Sequence, residues 1–336
     1  MTTSRVAAVQ AEPVWMDLAA TVDKTIELMR EASAQGARLL AFPELWLPGY
    51  PLFLLTTNAF QEFPYIAQYR AAALSVDSPE MMRLRRAAVE SGIIIAFGFA
   101  ERAESTLYMS QAVIDASGEI ILHRRKLKPT HVERAMFGQG DGSDLQVVST
   151  SVGRIGALNC AENMQPLSKF ALIAQDEQIR IASWPPLDYF GGAPLSGPST
   201  VALNQSNAME ATVYVLMSTQ VVSEAGIAAY STVPGAEAPA FSGGGYARIF
   251  APDTTLLSEV LAPDVEGIVY ADIDLGLIDV LNHFFDPVGH YARPDVFQVA
   301  IDRRQKPAFR EILDDAVREY PALETDEVAL EAVAAR

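Results

Sequence analysis

A chain of 336 residues, half of them apolar and 20% charged, has globular composition and is long enough for one large α/β domain or two smaller ones. Its 42 acidic residues against 25 basic ones leave a net charge of −17, which argues against a general nucleic-acid binder and against adhesion to anionic lipid. No apolar run approaches the ~20 residues of a membrane span, and the single cysteine, Cys160, excludes an intrachain disulfide and a cysteine-rich zinc site.

Residues 5–10 form a short apolar run. Asp17 is a helix-capping residue ahead of the stripe Leu18, Val22, Ile26 and Met29, which predicts a helix stopping near Gly36. A second apolar run over 38–42 ends at Pro43-Glu44. A helix is predicted across 79–91, then a strand over 93–99. Two strands, 107–114 and 119–125, are joined by Asp115-Ala-Ser-Gly118, a hairpin signal. The second half repeats the pattern: a strand at 154–159 ending at Cys160, a helix near 166–177, a strand at 179–183, a helix near 200–210 and a strand at 212–218. Strands at 245–250 and 255–260 flank Pro252-Asp253, and 267–272 is the last. The Gly/Pro-rich stretches 185–198 and 233–245 read as loops, and the acidic tail after Pro307 packs on the surface or frays. Such βαβ units mixed with hairpins predict a layered α/β domain with mixed sheets.

Three polar residues stand at the ends of apolar strands: Glu44, Lys126 and Cys160. Ligand sites in open α/β sheets lie outside the carboxyl ends of strands. A thiol becomes a strong nucleophile only as a thiolate; Glu44 could take its proton, and Lys126 could hold a developing negative charge. Each has a plainer reading alone: a small buried hydrophobe for the cysteine, a turn residue for the glutamate, a solvated charge for the lysine. The four histidines, including His123, His131, His283 and His290, have no metal-ligand spacing, and Gly243-Gly-Gly245 lacks the Lys-Ser/Thr of a phosphate loop.

These residues also carry a resemblance. Phe42-Pro43-Glu44-Leu-Trp-Leu-Pro48-Gly49-Tyr50-Pro51 resembles the glutamate motif of the nitrilases. Arg124-Arg125-Lys126-Leu127-Lys128-Pro129-Thr130-His131-Val132-Glu133-Arg134 resembles their lysine motif, extended by a second glutamate. Gly156-Ala157-Leu158-Asn159-Cys160-Ala161-Glu162 resembles their cysteine motif. Further matches are Val9-Gln10-Ala11, Ala182-Ser183-Trp184-Pro185 and Asp286-Pro287-Val288-Gly289-His290-Tyr291, so the similarity runs from about residue 5 to 300.

The resemblance implies a four-layer αββα sandwich, with residues 1–306 as the hydrolase domain and 307–336 as a tail. It implies hydrolysis of a nitrile to the carboxylic acid and ammonia. In that reading Cys160 is the nucleophile, Glu44 the general base, and Lys126 rather than Lys128 the family's lysine. Glu133 is the second glutamate lining the site; a salt bridge to Arg134 is its plainer role. Glu162 supports the cysteine turn. Tyr50 and Trp184 are pocket walls or core aromatics. Ala161 stands where many nitrilases have tryptophan, a feature of the arylacetonitrile-preferring group, and its small size leaves room beside the reacting carbon. Asn163 stands where histidine is common. No cofactor or metal is implied. The partners are a small-molecule nitrile and further copies of the chain, at least a dimer with a spiral as the larger form, and the compartment is the cytoplasm. The extended lysine segment favours a nitrilase over an amidase or carbamoylase of the same superfamily, and the complete Glu44, Lys126 and Cys160 set disfavours a non-catalytic assembly protein.

Overall fold

The first apolar run forms strand β1 (Ser4–Ala11), and Asp17 then caps helix α1 (Leu18–Ala34) by accepting from the Ala20 amide. The computed structural model describes residues 3–58, 60–188, 195–231 and 242–306, with two short strands beyond position 310. After α1 come β2 (Leu39–Ala41), the short α2 (Phe53–Thr56), α3 (Phe63–Ala71) and α4 (Pro79–Ser91). α4 has complete punctuation: Ser78 accepts from the Met81 amide, Pro79 opens the first turn, and Gly92 closes it at φ 61°. β3 (Ile94–Ala103), β4 (Thr106–Ile114) and β5 (Ile120–Arg125) form an antiparallel meander. Asp115 closes its second turn by accepting from the Ser117 and Glu119 amides.

The second half comprises β6 (Phe137–Gly138), β7 (Val148–Thr150), β8 (Gly153–Asn159), α5 (Pro166–Ile173), β9 (Ile179–Trp184), α6 (Gly197–Ala211) and β10 (Tyr214–Gln220). It ends with α7 (Glu224–Ser231), β11 (Arg248–Phe250), β12 (Gly267–Ile273) and α8 (Gly276–Phe284).

Three expectations change. The helix near 166–177 stops at Ile173, because Gln175 and Asp176 turn back onto the carbonyls of Leu172 and Ile173, with Asp176 at φ 58°. The strand at 255–260 reduces to one bridge between Phe250 and Leu256; Ser258 Oγ takes the Ile249 amide in place of a ladder bond. α2, α3, α7 and α8 lie where no helix is predicted. Parts of the loops 185–198 and 233–245, and most of the tail, lie outside the described residues.

The strands order as β5-β4-β3-β2-β1-β10-β9-β8-β7, with β6 on β4, β11 on β10 and β12 along β1 from Ser4 to Gln10. β1 meets β10 at only two pairs, Gln10–Thr219 and Ala11–Gln220, so the sheet divides there into two halves. Side-chain alternation then sets the layers. Val6, Ala8 and Ala96 of one half share a buried cluster with Ala157, Ile181 and Leu216 of the other, which puts sheet against sheet. The opposite faces, Ala7, Val9 and Ile95 on one side and Ala182 and Val215 on the other, pack against α1 and α4, and against α6. The arrangement is the αββα sandwich expected. Each buried Ile, Leu or Val in these layers contributes about 1.5–3 kcal/mol. Arg304–Arg336 is a separate unit, described only by the antiparallel pair β13 (Glu311–Leu313) and β14 (Ala316–Arg318).

Candidate active site

Chain direction brings three strand ends together. Glu44 follows β2, Lys126 follows β5 directly, and Cys160 follows β8 directly. Glu44 is clamped from two sides. Its carbonyl accepts from Gln220 Nε2 at 2.6 Å, and its amide donates to the Trp184 carbonyl at 3.3 Å. On the third side β3 approaches so closely that a Cβ on Gly98 would stand 2.6 Å from the Leu45 nitrogen and 2.8 Å from Glu44 Cα, so only glycine fits there.

Lys126 extends the β5 ladder through its amide to the Met109 carbonyl at 2.7 Å, and its ammonium is fully buried. Nζ donates to Glu44 Oε1 at 2.9 Å and to Glu133 Oε2 at 2.8 Å. Tyr50 OH donates to the other oxygen of Glu133 at 2.8 Å. Glu133 is itself placed by the 3-10 turn His131–Ala135, where its carboxylate also accepts from the Thr130 amide. Its partners are thus Lys126, Tyr50 and Thr130, while Arg134 turns to the His131 carbonyl. Lys128, two residues on, is exposed, as the alternation of an extended segment requires.

Cys160 opens a second 3-10 turn, Cys160–Met164, and sits at φ 45°, a left-handed conformation that β-carbons disfavour. Glu162 and Asn163 hold this turn. The Glu162 carboxylate accepts from the Asn159 amide at 2.9 Å, and Asn163 Nδ2 donates to the Leu158 and Cys160 carbonyls at 3.3 and 3.2 Å.

The electrostatics follow from burying one cation with two carboxylates. Burial, only partly offset by Lys126, raises the Glu44 carboxyl to about 8, and Glu133 adds to the rise. Burial and then the charge of Glu44 push the Cys160 thiol well above its usual range, against the pull of Lys126. Burial alone would lower Lys126, but Glu133 and Glu44 more than reverse it, so the ammonium stays charged. The site therefore holds a protonated thiol, a carboxyl able to exchange its proton in the physiological range, and a permanent cation. Two of the ammonium's three protons are committed to carboxylates, leaving one for a reacting atom.

A cavity of about 440 Å³ opens onto this cluster. Cys160, Glu133 and Tyr50 line it together with Leu52, Leu55, Val132, Pro185, Pro186 and Leu195. Tyr50 is thus part of the cavity wall. Ala161 and Trp184 are not among the lining residues. The turn after Cys160 carries Ala161 round to a neighbouring groove with Lys128 and Arg134, and Trp184 is wholly buried behind the nucleophile in the cluster that packs on α6. The pairing of Glu162 with Arg124 has no local sequence signature, because Arg124 comes from β5, 38 residues away.

A carbon-nitrogen hydrolase family model matches residues 5–282. The chain is 54% identical to a bromoxynil-specific nitrilase of Klebsiella pneumoniae subsp. ozaenae, over 97% of this chain and 93% of that protein. It is 44% identical to an arylacetonitrilase of Aspergillus oryzae, over 89% and 92% of the two chains, and 42% identical to an aliphatic nitrilase of Rhodococcus rhodochrous, over 90% and 83%. Among solved structures, an amidase from Nesterenkonia sp. superposes with a TM-score of 0.60 at 20% identity, covering 82% of this chain and 92% of that one.

Proposed function

The chain belongs to the carbon-nitrogen hydrolase family, in its nitrilase branch, and from that premise we propose that it hydrolyses nitriles to carboxylic acid and ammonia with Cys160 as nucleophile. The observation that carries the assignment of roles is the Lys126 ammonium shared between Glu44 and Glu133, with Cys160 and Glu133 on the wall of one apolar cavity.

The chemistry runs as follows. The Cys160 sulfur attacks the nitrile carbon while its proton passes by way of Glu44 to the nitrogen, giving a thioimidate. Glu44 then takes a proton from a water that adds to the same carbon. Lys126 stabilises the negative charge of that tetrahedral species, a contribution of about 3–4 kcal/mol per donor in comparable sites. Returning that proton to nitrogen, and then passing the hydroxyl proton of the tetrahedral species to the same nitrogen as the C–N bond breaks, releases ammonia and leaves a thioester. A second water cleaves it to the acid and restores the thiol. A thiol and two waters supply every reacting group, so the reaction as written needs no cofactor. Glu133, ion-paired to Lys126 and bonded to Tyr50, keeps the ammonium aimed and charged.

The cavity lining selects the substrate. Among the described residues, Tyr50, Leu52, Leu55, Val132, Pro185, Pro186 and Leu195 line it beside Thr130 and His131, and no lysine or arginine does, which favours an uncharged nitrile with an apolar body, arylaliphatic nitriles included. The reach of that body is set by Leu52, Leu55, Val132 and Leu195, and Ala161 acts at most through the turn it belongs to. Ammonia release from phenylacetonitrile, benzonitrile, butyronitrile and their amides tests the reading. Nitriles are expected to outperform amides, with activity rising with pH through about 8 as Glu44 loses its proton. Faster turnover of the amides would make the protein an amidase; no release from any would favour an assembly role.

Residues 1–306 form the hydrolase domain in this reading and 307–336 a tail. The lone buried thiol suits the cytoplasm. The enzyme is at least a dimer. The outer helices leave apolar side chains in solvent, among them Leu167 on α5, Met209 on α6 and Phe284 on α8, the last 81% exposed. With a net charge of −17, self-repulsion weakens as salt screens it, so light scattering should show larger species, up to spirals, at high ionic strength. A monomer at every salt concentration would contradict this.

A further inference from the structure

One buried polar chain touches the backbone beside each of the three site residues. Ser183 Oγ donates to the Phe42 carbonyl at 3.0 Å, two residues before Glu44. Gln111 Nε2 donates to Ser183 Oγ at 3.2 Å, and Gln111 Oε1 accepts from Arg124 Nη1 at 2.7 Å. Arg124 grips Glu162 with both terminal nitrogens, at 2.8 and 2.6 Å. Glu162 Oε1 then accepts from the Leu127 amide, next to Lys126, and Oε2 from the Asn159 amide, next to Cys160, both at 2.9 Å. Ser183, Gln111, Arg124 and Glu162 are all buried.

Resting on the reading of Cys160, Lys126 and Glu44 as the reacting groups, we propose that Glu162, held by Arg124, is a positioning residue that sets the spacing between the lysine strand and the nucleophile turn. A carboxylate offers about four acceptor directions, and here all four are used: two by the Arg124 fork and two by backbone amides from separate strands. No other residue type meets that demand. Glutamine has one acceptor oxygen, and its NH2 would face two donors. Aspartate is one methylene short of spanning both strands. Burial would raise this carboxyl, yet Arg124 and the two amides hold it below its usual range, so it stays ionised and acceptor-only. The cross-strand register supports the same geometry: Gln111 stands opposite Arg124 on β4 and β5, and Asn159 opposite Ser183 on β8 and β9.

Glu162→Gln tests this in the full chain, with two readouts: steady-state hydrolysis and the rate at which iodoacetamide alkylates Cys160. We expect kcat to fall about 100-fold, the cost of an ångström-scale misplacement, with KM unchanged and alkylation slowed. Glu177→Gln is the comparison. Glu177 is as deeply buried and is paired with Arg180, away from the site, so it should lose stability while both readouts hold per folded molecule. If Glu162→Gln does not fold, Arg124→Lys serves, because it keeps the charge and gives up the fork; the same split is expected. Native kcat and alkylation rate in the folded variant, or a loss no greater than that of Glu177→Gln, would overturn the proposal. Slowed alkylation in a protein that turns over no nitrile would sink the nitrilase reading and leave the positioning role standing.

Discussion

Lys126→Met is expected to lose at least about 1,000-fold in kcat, because two effects fall together. Removing a preorganised charge stabiliser costs about 100- to 1,000-fold in comparable sites. In addition, Glu44 and Glu133 lose the cation they share at 2.9 and 2.8 Å. Two buried carboxylates facing each other without it cannot both stay ionised, so the base is titrated out of service. Stability should follow with a defined sign. Lys126 opposes the rise of the Glu44 carboxyl, which burial already holds near 8. Without that cation the folded-state value rises further above the unfolded one. A carboxyl raised in the folded state favours folding while it is protonated, below its unfolded value, and loses that favour as pH climbs toward the folded value. The variant should therefore lie close to the native protein in acid and fall behind it in alkali, by up to about 3–5 kcal/mol, the cost of orphaning buried charges. Urea denaturation in weak acid and in weak alkali reads the difference. Lys128→Met, at an exposed position, should change little. The reverse ranking of the two lysines would displace Lys126 from the mechanism.

The parts of this fold that were legible beforehand are those whose cause is local. Asp17, Ser78-Pro79 and Gly92 punctuate helices within a few residues, and α4 falls on 79–91 as predicted. β5 ends where Lys126 begins and β8 where Cys160 begins, so the strand-end placement of two site residues could be read from apolar runs alone. α3 escaped because its buried side chains, Tyr65 and Tyr69, are a single pair one turn apart, with Phe63 left in solvent. The segment 255–260 has strand-like composition, yet Ser258 diverts the Ile249 amide, and no composition rule anticipates that. Glu133 was visible only through the family resemblance, since its use depends on a lysine seven residues away in another element. Of the network around Glu162, only its support of the cysteine turn was legible. The bonds of Glu162 to Arg124 and to the Leu127 amide join residues 38 and 35 apart, and the bond from Gln111 to Ser183 joins strands of different halves. For Trp184 the sequence leaves pocket wall and core aromatic both open, and side-chain alternation on β9 turns it to the helix side, with Ala182.

Cys160→Ala should remain folded and lose nitrile hydrolysis altogether, since the chain contains no other sulfur nucleophile of its kind. In the native protein one equivalent of alkylating reagent should abolish activity, and substrate should protect. The deeper test is Cys160→Gly. At φ 45° the native residue carries a β-carbon in a conformation that costs roughly 1–2 kcal/mol relative to a right-handed one. Alanine keeps that carbon and the strain with it; glycine removes both. Against this, glycine adds unfolded-chain entropy, which alone would make it the less stable of the two by about 0.4–1 kcal/mol. If the turn stores strain to hold the sulfur against the cavity, the two terms should leave Cys160→Gly equal to or more stable than Cys160→Ala by chemical denaturation, although both are inactive. A glycine variant clearly less stable than alanine would show that the turn is relaxed. The contacts from Glu162 and Asn163 would then be ordinary capping, and the position of the nucleophile would owe nothing to backbone strain. Residual hydrolysis in either variant, above that of the buffer, would remove Cys160 from the chemistry itself.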